Sequence, residues 1–490
     1  MIVFLLSLFY FATRIPFLRT YSVYYDSFEY IRIIGKLNWQ NIASVTSSSH
    51  QPIHTLYFIT GLLLKSLLPS LSVEVVMAMS SLLFGYGITI IWYLLVKRIS
   101  NKKTALFSTI LLLLFPYFFI ANTHILYESE LLFFQIASMY VLFIACEKRK
   151  YIYFIIAGLL LGLAHLLFIG TLFIIPLYFF IVLNKIKNQL KTTMIFGAVF
   201  GLGYFLAGFF LDFLVLQSLP LLITKYIKHA GDVVANNQGL LYLLGRIIRN
   251  IVFQSNAILS GGGIILLTFS CIVLAYKKKY SFLLLIPFFV LMQYWHAGFF
   301  GRLAIGIIFP AAFIIASTFT NIKTQIAKIV ILLLFFIWIP WRQLALPPLY
   351  AYYNLILNEK NITVITSDYN RFLYEKYAVP HFTIKGDTAR EEIKKYIETN
   401  FKSKTVLIDS SALRYPYFQY DGSGYNIMSM RSNGAPLIGN LLDSYTYKEF
   451  KKEPFSDIFF LRILSKKKKY CIMGFICYPS TISAKTSKKY

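Results

Sequence analysis

HQPIHTLYFITGLLLKSLL, residues 50–68, is apolar but short for a membrane crossing, and whether it spans decides the threading of everything after it. The surrounding chain makes the question pressing. Of 490 residues, 57% are hydrophobic and 14% charged, and the mean hydropathy is +0.63. No soluble domain of this length is so apolar, so the composition defines a polytopic membrane protein. A hydrocarbon core of about 30 Å needs about 20 apolar residues per helix. Such runs fall at 2–18, 52–68, 73–96, 104–121, 129–146, 152–168, 171–183, 192–216, 251–275, 281–296, 302–319 and 328–345. The first has no basic stretch ahead of it and no small-residue cleavage site before Arg14, so it reads as a retained helix.

The formal charge of +27 invites a nucleic-acid reading, which its distribution excludes. Basic residues come in short clusters between apolar runs: Lys97, Arg98, Lys102 and Lys103; Lys148, Arg149 and Lys150; Lys185, Lys187 and Lys191; Lys277, Lys278 and Lys279; Lys323 and Lys328. That is the pattern of cytoplasmic loops. With the N-terminus in the cytoplasm, every cluster falls inside only if 52–68 lies along the interface. The expectation is therefore about 11 spanning helices, with loops 19–72, 122–128, 217–250 and 297–301 outside, together with everything after about residue 345. The first external loop should hold two juxtamembrane helices, near 27–38 and 52–68.

Composition shifts after Pro347-Pro348. Strands are predicted at 361–366, 404–409 and 456–464, and helices at 368–378 and 388–400, with Thr388 a cap. The alternation implies a small α/β domain with some parallel pairing. Expected domains are 1–346 in the membrane, 347–465 α/β and extracytoplasmic, and 466–490 a basic flexible tail. Of four cysteines, only Cys471 and Cys477 could pair in a structural disulfide, and no spacing suggests zinc.

Acids stand where external loops begin: Asp26 and Glu29 in Tyr24-Tyr25-Asp26-Ser27-Phe28-Glu29-Tyr30, and Glu128 in Leu126-Tyr127-Glu128. Basic residues in the external loops run against the inside bias: Lys225, Lys228, Arg246 and Arg249, and Arg302 at the outer end of a late helix. Charge placed against that rule suits phosphate binding. Plainer readings stand beside these. Asp26 could cap a helix and Glu29 could be a first-turn acid. Glu128 could be an interfacial cap, Arg302 a helix anchor, and Tyr24, Tyr25 and Tyr30 an aromatic belt. His50 and His54, spaced one helical turn apart, could share a metal or be merely polar. His165 and Asp212 read as locally satisfied.

In order and spacing, residues 1–345 resemble the GT-C membrane glycosyltransferases, above all the protein O-mannosyltransferase and aminoarabinose (lipid A) transferase group, with its bacterial and archaeal relatives. The matching features are Asp26, His50-Gln51-Pro52-Ile53-His54, Glu128, Arg302 in Gly301-Arg302-Leu303, and the Gly-rich stretch from Gly158 to His165. Departures are Ser27 after Asp26, with the second acid delayed to Glu29, Gln51 for a proline, and His54 for an aromatic. The resemblance implies an inverting transferase in a bacterial or archaeal membrane. It would move sugar from a polyprenyl-phosphate donor to a hydroxyl of a lipid, glycan or protein outside the cytoplasm. Asp26, Glu29 and Glu128 would be catalytic, with Asp26 the base. Arg302, Lys225, Lys228, Arg246 and Arg249 would face the donor phosphate. Tyr25, His50 and His54 would contact substrate, and a divalent metal, if used, would have Asp26, His50 and His54 as candidate ligands. The rival readings are a transporter or lipid flippase, which would carry mid-helix charges and broken helices, and a non-catalytic scaffold.

Overall fold

The computed structural model describes residues 1–18, 25–43, 54–186, 189–218, 220, 222–223, 259, 262–276, 306–320, 353–367, 370–384, 390–420, 425–431, 444–452, 459–466, 469–472 and 476–479. Contacts divide the chain into two compact units, Met1–Ala345 with Gln419–Tyr425, and Leu346–Phe418 with Asn426–Tyr490.

The first unit is helical. Its elements are α1 (Ile2–Arg14), α2 (Tyr25–Lys36), α3 (Thr55–Leu67), α4 (Val73–Ile99), α5 (Lys102–Leu114), α6 (Pro116–Thr123), α7 (Glu128–Lys148), α8 (Tyr151–His165), α9 (Ile175–Lys185), α10 (Leu190–Phe205), α11 (Leu211–Leu216), α12 (Gly262–Tyr276) and α13 (Ile308–Phe319). Among the described residues, three helices are long and apolar enough to cross a membrane: α4, α7, and the stretch Leu190–Leu216 that joins α10 to α11 through a π turn. The bent pair α5–α6 passes the same test as a fourth. The remaining apolar helices are shorter, α3 among them. Residues 19–72 hold two short helices, α2 and α3, near the positions expected.

Local chemistry sets the ends. Ser72 caps α4 by accepting from Val75 N at 3.3 Å, and Asn101 caps α5 by accepting from Thr104 N at 3.0 Å. The run 104–121 reads as one apolar segment, but the chain turns by 70° between α5 and α6. Pro116 is the cause. It holds Phe115 extended (φ −65°, ψ 125°) and restarts the helix as its first residue.

Close packing of α8 on α10 depends on glycine. A Cβ at Gly162 would lie 2.6 Å from the Tyr204 carbonyl oxygen, and one at Gly158 would collide with the Phe200 carbonyl. Gly203 meets the Ile155 carbonyl from the other side. Small residues four apart let backbones touch where lipid supplies no hydrophobic drive between helices.

The second unit carries a mixed five-stranded sheet. Its elements are β1 (Ile362–Ser367), α14 (Arg371–Lys376), β2 (His381–Ile384), α15 (Arg390–Asn400), β3 (Thr405–Asp409), α16 (Ser410–Leu413), β4 (Arg414–Tyr420), β5 (Tyr425–Arg431), β6 (Tyr445–Lys452), β7 (Phe459–Lys466), β8 (Lys469–Ile472) and β9 (Ile476–Pro479). The order is β2-β1-β3-β7-β6. β1 pairs in parallel with β2 and β3, whereas β3–β7 and β7–β6 are antiparallel. Ile393 and Ile397 of α15 bury against Ile365, Val406 and Ile408. Thr388, the expected cap of α15, lies outside the described residues. Within the stretch read as a tail, β8 and β9 pair so that Cys471 stands opposite Cys477 along the backbone.

Asp409 organises the end of β3. Fully buried, its carboxylate accepts from Thr366 Oγ1 at 2.6 Å, Tyr374 Oη at 2.7 Å and Ala412 N at 3.2 Å. Asp409→Ala strips those donors of an acceptor, which costs about 1–3 kcal/mol per buried group. Limited proteolysis of the full chain should then cut within 346–490 at protease doses the parent survives. Equal resistance would refute this structural role.

Candidate active site

The start of α2 is tied to the start of α7. Ser27, fully buried, donates from Oγ to the Ile125 carbonyl at 2.7 Å. One turn after Asp26, Tyr30 inserts its ring among His54, Tyr57, Phe58 and Tyr127, with centroids 5.2–6.2 Å away. Burial first, then Tyr127 and Glu128, push the Tyr30 phenol well above its ordinary pKa, so it stays a neutral hydroxyl. Glu128 is 1% exposed and follows Tyr127 directly. Two acid-bearing segments about a hundred residues apart in sequence thus meet at one end of α7.

Glu29 is buried and held by Arg32, whose Nε and Nη2 donate to its two oxygens at 2.8 and 2.5 Å. This bidentate pair gives Glu29 a local partner.

α3 forms a second wall. His54 stands just before the helix as its N-cap residue rather than inside it. Its Nδ1 is 2.5 Å from the Leu167 carbonyl, and its ring overlaps Tyr127 at 4.0 Å. Thr55 Oγ1 donates to Asp212 Oδ1 at 2.8 Å, and Thr60 Oγ1 donates to Glu130 Oε1 at 2.6 Å. Asp212 does have a partner, but one supplied by α3, 157 residues away. His165 is bonded to Tyr204 Oη at 2.8 Å, as the local reading expects.

The structure therefore gathers His54 and Glu128 around Tyr30 and Tyr127, while Glu29 pairs with Arg32 on α2, the helix that carries Asp26 on its first turn. The side chains of Tyr25 and Asp26 lie outside the described residues, as do His50, Lys225, Lys228, Arg246, Arg249 and Arg302. Among the described residues no three His, Cys, Asp or Glu side chains gather as a metal site. Sequence reasoning passed over Glu130, which is 2% exposed and has one oxygen, Oε2, without a hydrogen-bond partner among the described residues. The signal was there: a second acid in the first turn of a spanning helix is costly unless used.

The apolar helices define an integral membrane protein. Residues 50–210 match the model of the dolichyl-phosphate-mannose-protein mannosyltransferase family. The Archaeoglobus fulgidus oligosaccharyltransferase, solved with zinc and sulfate, shares the fold: TM-score 0.51 at 14% identity, over 94% of this chain and 72% of that one. Its apo form gives 0.48 at 11% identity over 91% and 72%, and its acceptor-peptide-tethered form 0.46 at 12% over 93% and 73%. No curated protein matches the chain in sequence. The family match and the shared fold support a GT-C superfamily glycosyltransferase, and with it membrane glycosyl transfer.

Proposed function

We propose that the chain is an inverting glycosyltransferase that moves a sugar from a polyprenyl-phosphate donor to an acceptor hydroxyl on the extracytoplasmic face. The observation that carries this reading is the Ser27–Ile125 hydrogen bond, which sets the backbone beside Asp26 next to the segment leading into Glu128. Asp26 takes the acceptor proton, and the acceptor oxygen attacks the anomeric carbon on the face opposite the phosphate. The C–O bond to phosphate breaks as the new bond forms, and polyprenyl phosphate departs. No second carboxylic acid is required, because phosphate leaves as a stable anion. Cations must face it, and Arg302, with Lys225, Lys228, Arg246 and Arg249, is assigned that role. Glu128 and Glu29 complete the acidic site, and Tyr25, His50 and His54 the substrate contacts. Residues 1–346 form the catalytic domain, 347–465 an extracytoplasmic α/β domain and 466–490 a basic tail.

A transporter is disfavoured by charge placement. In α4 the charged residues are Glu74, Lys97 and Arg98, and in Leu190–Leu216 they are Lys191 and Asp212, all near helix ends. The test is reconstitution of the full chain with polyprenyl-phosphate-linked sugars and a hydroxyl acceptor, reading released polyprenyl phosphate. No release with any sugar, against flipping of the lipid, would replace this reading with the transporter. Orientation is tested by reporter fusions at residues 70, 100 and 350. Signals should be external, cytoplasmic and external, and a cytoplasmic signal at 70 would make α3 a span.

A further inference from the structure

At the far end of α7 from Glu128 lies a cavity of about 290 Å³ between α7, α9 and α10. Leu142, about 21 Å along the helix from Glu128 at 1.5 Å per residue, lines it with Tyr178, Val182, Thr193, Phe196 and Phe200. It is thus remote from the candidate active site. Phe179 and Met194 also line it and are 38% and 58% exposed, so the cavity is reached from the apolar surface that meets lipid tails.

Two features make it more than a gap between helices. Thr193 is fully buried in the lining, and its hydroxyl has no hydrogen-bond partner among the described residues. A buried hydroxyl left unpaired is costly, and an ester carbonyl entering the cavity would accept from it. The same end of the bundle is basic. Lys185, the last residue of α9, is exposed one turn beyond Val182, with its ammonium 5.4 Å from the Phe143 ring centroid. Lys191 is exposed in the first turn of α10, two residues before Thr193. That helix N-terminus adds partial positive charge of its own. From the cavity outward the order is apolar walls, a hydroxyl donor, then two cations. An anionic glycerophospholipid has the same order: acyl chain, ester, phosphate.

We propose that this cavity is a binding site for an anionic glycerophospholipid, its acyl chain among Leu142, Phe196 and Phe200, its ester at Thr193, and its phosphate between Lys185 and Lys191. Basic pockets between membrane helices recognise acidic headgroups in this way.

Gly197 supplies the test. It lines the cavity, and a Cβ built there meets no neighbouring atom within 4 Å, so Gly197→Leu is the substitution expected to occupy the space. The purified full chain would be given equal dioleoyl phosphatidylglycerol and dioleoyl phosphatidylcholine and examined by native mass spectrometry. The parent should retain phosphatidylglycerol preferentially. Gly197→Leu should lose that retained lipid while keeping the parent's melting temperature. Lys185→Gln with Lys191→Gln should still retain lipid but no longer distinguish the headgroups. Equal retention of both lipids by the parent would overturn the proposal. So would undiminished phosphatidylglycerol on Gly197→Leu, or its displacement by equimolar polyprenyl phosphate.

Discussion

An Asp26→Asn protein is expected to insert normally yet transfer sugar about 10²–10⁴-fold more slowly, the range positioned proton transfer contributes. The substitution separates the two readings of this residue. As a first-turn acid of α2, Asp26 would contribute only a modest interaction with the helix dipole, so a purely structural Asp26 predicts an active enzyme. As a base, the amide cannot take the acceptor proton. The fall should appear in kcat, with expression and melting unchanged. Retention of full activity would end the base assignment. Glu29→Gln tests the second acid assigned to the same site. Its carboxylate is buried against the half-exposed Arg32, so the amide weakens that pair, and melting is read alongside transfer. Any large loss of transfer in Glu29→Gln would then mark Glu29 as a second working carboxylate.

The second large effect is on stability. Gly158→Ala drives a methyl into the Phe200 carbonyl, and neither backbone can yield without parting α8 from α10. Overpacking of this kind costs about 1–3 kcal/mol. Gly201, on the same helix as Phe200, has open space where its Cβ would lie. Gly201→Ala should therefore melt with the parent, while Gly158→Ala melts well below it. Matching curves for the two variants would show that α8 and α10 do not depend on this contact.

What could be read from the sequence follows from range. α2 and α3 were legible because each is a short apolar or amphipathic run bounded by polar loops. β1 and β3 were legible as compact β-branched runs beside helical patterns. β6 was missed because Tyr445–Lys452 interleaves aromatics with Lys448, Glu449, Lys451 and Lys452, the dress of an edge strand. The bend at Pro116 was visible as a residue but not as a break, since hydropathy runs on unbroken through it. The acids at the starts of α2 and α7 were legible singly. The ties that bring α2 to the start of α7 and α3 to α11, from Ser27 to Ile125 and from Thr55 to Asp212, were not, because they are set by tertiary packing that no local pattern encodes.

Those two bonds also set a timetable. Ser27 and its acceptor are 98 residues apart, and Thr55 and Asp212 are 157 apart. At about 5–20 residues per second of synthesis, the first loop waits roughly eight to thirty seconds for its last partner. Until Asp212 has left the ribosome, Thr55 lacks this contact. The tie between α3 and α11 is therefore a late product of biogenesis, and chains released before residue 212 would carry α3 without it.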